Sequence, residues 1–340
     1  MNLKLKVKKA YVGFIEKEKK NKREALIFFA LYCLSLIYGF VVFFRNVFYD
    51  LGFLSRYKTG KKVISVGNIS WGGCGKTSLV RYLYHALSGS FRVAAVTKGY
   101  ARDEFLLLKD EIKVVYDAKD RVSLLKKLAP EYDLFILDDG FQYRKARRDI
   151  DIVIMTDKEF KGNACLLPAY ILREPLASLK RADIVILNHS QNIDNIKAVR
   201  QRLFKINPKL RVYSAGYKYR RLVNRDKQPV DISYLRKKKC AVLTAIGYPQ
   251  GFVDLVNKLG IRPAKVISYP DHFEFPPGEV VLIEKGLNSD GIKDIIITYK
   301  DFYHIDLSRA RLNYFILEAD LDIEAEDEFF KNMRFLLSQQ

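Results

Sequence analysis

Between Val63 and Ser78 the chain reads VISVGNISWGGCGKTS. A β-branched run leads into a glycine-rich turn, and the residues after it can open a helix. Few local sequences restrict a fold as tightly. Glycines at 72, 73 and 75 let backbone N–H groups face one point, and the following helix sets the positive end of its dipole there. A polyphosphate fits that cradle. Ser70, Trp71, Gly72, Gly73, Cys74 and Gly75 make the loop; Lys76 is expected to reach β- and γ-phosphates, and the Thr77 hydroxyl to ligate Mg²⁺. ATP and Mg²⁺ are therefore the expected cofactors. One departure from the usual G-x-x-x-x-G-K-[ST] spacing is plain, because its first position is Ser70.

A partner site follows. The apolar run Asp133–Leu137 ends in Asp138-Asp139-Gly140, and a carboxylate at the carboxyl end of a central strand is where such a site holds Mg²⁺, directly or through water. From Lys62 onward, strand candidates (63–66, 92–96, 113–116, 133–137, 151–155, 183–187) alternate with amphipathic helices (77–87, 121–128, 192–204). Continuous apolar strands separated by helices predict an α/β fold with a doubly wound, mostly parallel sheet over residues 60–210. Residues 211–239 are polar, basic and alternating, and read as a linker with a β-ribbon. A second, smaller α/β domain is expected over 240–340, ending in a helix at about 326–337.

The formal charge is +20, and the first 62 residues say where it works. Residues 1–24 carry nine Lys/Arg against three Glu, and Ala25–Phe44 then runs twenty residues without a charge. That length could span a bilayer. A simple span would put the basic N-terminus outside while the phosphate loop stays with ATP, against the positive-inside tendency. Basic residues on both flanks favour an interfacial or re-entrant helix within a membrane-associated segment 1–59; a true span and a buried core helix are the alternatives. Four scattered cysteines suggest neither disulfides nor a zinc site.

A phosphate loop serves switches, motors and kinases alike. Trp71 stands where membrane-cycling partition ATPases place a second lysine, which weakens a switch reading. Further motifs then run through most of the chain: LSLIYG (34–39), KGYAR (98–102), DDGFQ (138–142), RRDIDIVI (147–154), LPAYILREP (167–175), AIGYPQGF (245–252), YPDHFEF (269–275) and ITYKD (297–301). In this order they resemble the tetraacyldisaccharide 4′-kinases of the lipid A pathway, which also carry Ser or Thr where this loop has Ser70.

The resemblance implies ATP-dependent phosphorylation of the 4′-hydroxyl of an acylated glucosamine disaccharide 1-phosphate, at the cytoplasmic face of the inner membrane, by a chain expected to be a monomer. It also implies a base, Asp103, in the segment Arg102-Asp103-Glu104-Phe105, with Glu104 in the metal shell and His272 as the base's partner. A hydroxyl is a poor nucleophile, so a positioned proton acceptor is needed. Arg173 and Glu174 of the LREP segment are implied to lie near the nucleotide. Lys98, Tyr143 and Tyr299 stand where the family usually has Arg, His and Glu. A structural role is the alternative at each position: surface loop residues at Asp103, a turn histidine at His272, an ion pair at Arg173–Glu174. A membrane-associated ATPase switch acting on a protein partner is the second functional reading. A nucleic-acid-binding ATPase is not expected, because the basic residues gather beside an apolar helix and no recognition motif accompanies them.

Overall fold

A computed structural model describes residues 11, 13–15, 21–98, 102–161, 165–271 and 273–339. The chain divides into two compact units: one runs to Gly216 and takes up the chain again from Ile323, and the other is Tyr217–Asp322.

In the first unit β1 (Lys62–Gly67) lies between β4 (Leu134–Asp138) and β5 (Ile150–Met155), all parallel. Outward from β4 come β2 (Val93–Thr97) and β3 (Val115–Asp117); outward from β5 come β6 (Ile184–Asn188) and the first residues of β7 (Arg211–Asn224). Every residue of β2, β4, β5 and β6 is buried, as unbroken apolar runs require when helices cover both faces. Because β1 has its neighbours on either side arriving from different crossovers, the carboxyl ends of β1 and β4 frame a crevice, the usual ligand position in such sheets.

Helix α1 (Lys22–Asp50) precedes the sheet. A capping box starts it: Asn21 Oδ1 accepts from Glu24 N–H, and Glu24 Oε2 accepts from Asn21 N–H, both at 2.9 Å. It stops where Gly52 takes a left-handed φ of 82°. Ser35 and Val42 are its buried residues, and Tyr38, Arg45 and Asn46, which lie on the same stripe, bond to the sheet unit. Leu26, Phe29, Leu36, Ile37, Phe40 and Phe43 are exposed.

The smaller unit has a parallel sheet ordered β10 (Lys265–Ser268), β9 (Cys240–Thr244), β11 (Asp294–Thr298), β12 (Asn313–Ile323). Ala241, Leu243, Ile295, Ile297, Tyr314 and Ile316 build one core; Cys240, Val242, Ile296, Phe315 and Leu317 build the other. That is the period-two alternation of strands covered on both sides.

Two expectations change. The segment 211–239 does hold a ribbon, since β7 pairs antiparallel with β8 (Pro229–Val230), but β7 begins as a core strand beside β6. The terminal helix Glu326–Ser338 belongs with the first unit, not the second: Phe329 packs edge-on against Tyr213 at 5.3 Å and Phe330 stacks on Tyr82 at 5.7 Å. Long-range aromatic pairing decided this, and no local pattern announces it.

At the amino edge of β6, Asp183 accepts the Asp151 N–H at 2.8 Å, and burial chiefly, with the nearby Asp151 carboxylate adding, pushes it up to about 6. An acid raised in the fold costs stability once pH rises through its folded value. Asp183→Asn keeps an acceptor and removes that cost. Thermal melts should show the variant stabilised at about pH 8, by on the order of 1 kcal/mol or more, and unimproved near pH 4. Equal shifts at both pH values would refute the charge argument.

Candidate active site

The loop after β1 is shaped by polar groups that the sequence pattern does not single out. Asn68 is fully buried; its Nδ2 donates to Cys74 Sγ at 3.2 Å, and its carbonyl accepts from Gln142 Nε2 at 2.8 Å. Asn188, at the end of β6, donates to the Cys74 carbonyl at 2.8 Å. Gly72 and Gly75 hold φ of 127° and 98°, left-handed values that explain glycine at both places. Helix α2 (Lys76–Leu87) starts directly after, with Lys76 and Thr77 in its first turn.

Gly67 ends β1 for a steric reason. A Cβ there would lie 2.4 Å from Phe141 Cβ and 2.7 Å from its backbone N, so the DDGFQ segment can close on the strand only over glycine.

Ser70 does not face the cradle. It is buried and its hydroxyl donates to the carboxylate of Glu159, which also accepts from Thr156 N–H and Oγ1 at 2.8 and 2.9 Å. Burial pushes Glu159 up from the ordinary glutamate value. The side chain that replaces the pattern's first glycine therefore anchors the loop from behind. Cys74 is buried too, with its thiol pushed up to about 11 by burial; its sulfur only accepts from Asn68, so it offers the cradle its backbone alone.

The electrostatic centre is Asp139, in a left-handed conformation with φ 51°. Its carboxylate meets Lys98 at 2.8 Å, Arg173 at 2.9 and 3.1 Å, and Lys76 at 3.6 Å. Burial works against its ionisation, yet Lys76, Arg173 and Lys98 hold it well below the usual carboxylate range. Burial would likewise pull Lys76 down, but Cys74 and Asp139 hold it above the ordinary lysine value; of these two, Asp139 is charged at neutral pH. Three cations on one anion leave a surplus positive charge at the mouth of the loop. Sequence reading gave Asp139 to the metal. Its two oxygens are instead committed to this cluster, which arranges the cations.

Arg173 ties the cluster to the loop: its guanidinium also donates to the Ser70 carbonyl at 2.9 Å and to Asn68 Oδ1. Its neighbour Glu174 points elsewhere. Fully buried, it receives Arg181 at 2.8 and 2.9 Å, Arg45 of α1 at 3.0 Å and Asn46 of α1 at 3.1 Å. Glu174 thus fastens α1 to the sheet unit, and its assignment to the nucleotide is corrected. Tyr38 of α1 donates to the Arg173 carbonyl at 2.9 Å, so the apolar helix grips both residues of the pair.

Tyr143, the departure after DDGFQ, packs its ring under Arg121 at 4.5 Å, and Arg121 Nη1 donates to the Asp138 carbonyl at 2.8 Å. Its role is to support the acidic turn. In the smaller unit Asp301 is fully buried and accepts Ala245 N–H at 2.7 Å, while Tyr299 beside it packs edge-on against Tyr303.

Among the described residues no group of three His, Cys, Asp or Glu could hold a metal ion alone. The donors that suit Mg²⁺ are the Thr77 hydroxyl and the buried Asp138 carboxylate. Mg²⁺ takes few protein ligands, keeps waters and adds phosphate oxygens. So sparse a set fits an ion that arrives with a nucleotide. Asp103 and Glu104 open helix α3 (Arg102–Glu111), but their side chains lie outside what is described; so does His272.

The family model of tetraacyldisaccharide-1-P 4′-kinases matches residues 27–104 and 102–337. A curated tetraacyldisaccharide 4′-kinase of Aquifex aeolicus (strain VF5) is 33% identical over 269 residues, 71% of this chain and 81% of that protein. Another, from Elusimicrobium minutum (strain Pei191), is 29% identical over 356 residues, 93% of each chain. Among solved structures, the "apo" form of LpxK from Aquifex aeolicus in complex with ATP superposes with a TM-score of 0.69 at 28% identity, covering 91% of this chain and 99% of that one.

Proposed function

The chain belongs to the tetraacyldisaccharide 4′-kinase family, and from that membership we propose how its residues divide the work. The protein is a kinase that phosphorylates the 4′-hydroxyl of the tetraacyldisaccharide 1-phosphate in lipid A biosynthesis, with ATP as donor.

The observation that carries the division is the convergence of Lys76, Lys98 and Arg173 on Asp139 at the loop. In the proposed mechanism the loop amides and the α2 N-terminus receive the β- and γ-phosphates. Lys76 shifts from Asp139 toward the γ-phosphoryl, offsetting charge that spreads over its equatorial oxygens during transfer. Arg173 and Lys98 stay on Asp139 and keep the positive field in place. Thr77 and Asp138 would hold Mg²⁺, with Glu104 in its surroundings, and the ion would supply charge neutralisation of the phosphates. Asp103 accepts the proton of the acceptor hydroxyl, with His272 as its partner.

The lipid partner and a membrane surface are proposed together. Residues 35–50 of α1 are docked through Tyr38, Arg45, Asn46 and Asp50, so lipid cannot wrap that stretch. The exposed apolar face beside it suits a helix lying in the cytoplasmic interface of the inner membrane, where acyl chains stay in lipid and sugars rise to a monomeric enzyme. Transfer of labelled γ-phosphate to the disaccharide in mixed micelles tests the base. Asp103→Ala should lower kcat by about 10²-fold or more with little change in KM for ATP; unchanged turnover would remove Asp103 from the mechanism.

A further inference from the structure

At the opposite edge of the same sheet lies a cavity of about 340 Å³ lined by Arg56, Lys58, Arg147, Arg148 and Asp151. Arg56 and Lys58 precede β1, while Arg147 and Arg148 precede β5, so the cavity sits where those parallel strands begin. The phosphate loop lies where they end. Six residues of β1 separate the two, roughly 20 Å at 3.3 Å per residue. The cavity is therefore no part of the transfer site.

Its charge is one-sided. Arg148 pairs with Asp151 at 2.8 Å and Arg56 with Asp50 at 3.3 Å, whereas Lys58 and Arg147 have no acidic partner among the described residues. Burial, then repulsion from Arg144 and Arg148, weakens the hold of Arg56 on its proton. Cations crowded without matching acids make an anion site, and the chain leading into this one at Arg56 is apolar. The segment between α1 and Arg56 carries Leu51, Phe53 and Leu54, exposed by 67%, 75% and 38%. Phe48, in the last turn of α1, stacks edge-on with Phe53 at 6.0 Å and is also exposed. A phosphate in the cavity would thus have apolar side chains next to it, continuous with the exposed face of α1.

We propose that this cavity binds the phosphate headgroup of an anionic membrane lipid, with Leu51, Phe53 and Leu54 entering the acyl region beside it. The exposed apolar segment just before Arg56 favours a lipid phosphate over a free one, because soluble phosphate gains nothing from exposed Phe53. The inference rests on α1 lying at a membrane surface and is independent of the catalytic roles. With the middle of α1 docked beside the loop through Tyr38 on the Arg173 carbonyl and its carboxyl end leading toward this cavity, a lipid held there would fix the enzyme's pose on the surface.

Co-sedimentation of the full-length protein with phosphatidylcholine vesicles, with and without phosphatidylglycerol, reads the site directly. Lys58 and Arg147 are exposed, so Lys58→Gln/Arg147→Gln should fold normally. The expected result is a roughly 30-fold weaker affinity for the anionic vesicles, about five- to sixfold per cation near a charged surface. Affinity for neutral vesicles should stay unchanged. Lys197→Gln/Arg202→Gln, an equal charge change on helix Ile196–Ile206, should do far less. Equal losses from both pairs would reduce the effect to net charge and overturn the site. Titration with inorganic phosphate in the absence of vesicles separates the sources: saturable binding lost in the Lys58/Arg147 variant, without a change on anionic vesicles, would make it a free-phosphate site instead. A raised KM for the lipid acceptor in neutral micelles would assign the cavity to the substrate's own phosphate and also overturn the proposal. If the wild type ignored neutral and anionic vesicles alike, the surface reading of α1 would fail first.

Discussion

Lys76→Ala is expected to lower phosphoryl transfer by about 10³-fold, some 4 kcal/mol of transition-state stabilisation, while leaving the fold in place. The two halves of this expectation come from different distances. Lys76 is the loosest of the three cations on Asp139, at 3.6 Å against 2.8 Å for Lys98 and 2.9 Å for Arg173. Removing it leaves Asp139 with two partners, so little stability should be lost. Looseness is also what lets Lys76 leave Asp139 for an incoming phosphate. Lys98 is held on Asp139 by the shorter contact and Arg173 is fixed by the Ser70 carbonyl and Asn68, so neither leaves Asp139 as readily. Lys98→Ala should therefore cost less turnover than Lys76→Ala, and Arg173→Ala should cost both turnover and loop order. Steady-state transfer of labelled phosphate and thermal melts on the same preparations check the pattern. Turnover of Lys76→Ala within threefold of wild type would refute the proposed transfer role.

Much of this arrangement could be read in the sequence where its cause was local. The run 63–66, three glycines and a helix-opening Lys-Thr specify strand, cradle and α2 within sixteen residues, and all three stand where expected. Helix 192–204 was expected too early, because Asn195 caps the helix at Ile196 and a single 3₁₀ turn precedes it. What was not legible depends on partners far along the chain. Asp138 and Asp139 look equivalent as an acidic pair. They differ because Arg173, thirty-four positions after Asp139, takes that carboxylate while Asp138 stays at the strand end. Ser70 looked like a substituted cradle residue until Glu159 placed its hydroxyl behind the loop. Asn68 and Asn188 carried no motif at all, and their one shared signal was position, each at or just past the carboxyl end of a central strand.

Glu174 shows the same limit in one residue and allows the sharpest stability test. The two neighbours turn apart, Arg173 to Asp139 at the loop and Glu174 to Arg181 and Arg45, so they do not serve the nucleotide together. Glu174 instead neutralises Arg181 and Arg45; burial alone would raise its pKa, but these guanidiniums, Arg181 most, hold it below the usual glutamate value. Glu174→Ala would leave Arg181 buried over the Phe141 ring without its anion, and breaking a buried pair from one side costs about 3–5 kcal/mol. Melting temperature should fall by roughly 10 °C. Arg45, one-third exposed, can find water, so Arg45→Gln should cost far less. The loss should also reach the site. With Arg45 and Asn46 released, α1 keeps Tyr38 on the Arg173 carbonyl but loses its hold on the next residue, so Arg173 is less well placed on Asp139. ATP affinity should then weaken together with melting temperature in Glu174→Ala and recover in part in Glu174→Gln, which still offers Asn46 an acceptor. Weakened ATP binding at unchanged melting temperature would return Glu174 to the nucleotide and dissolve the link between the apolar helix and the phosphate loop.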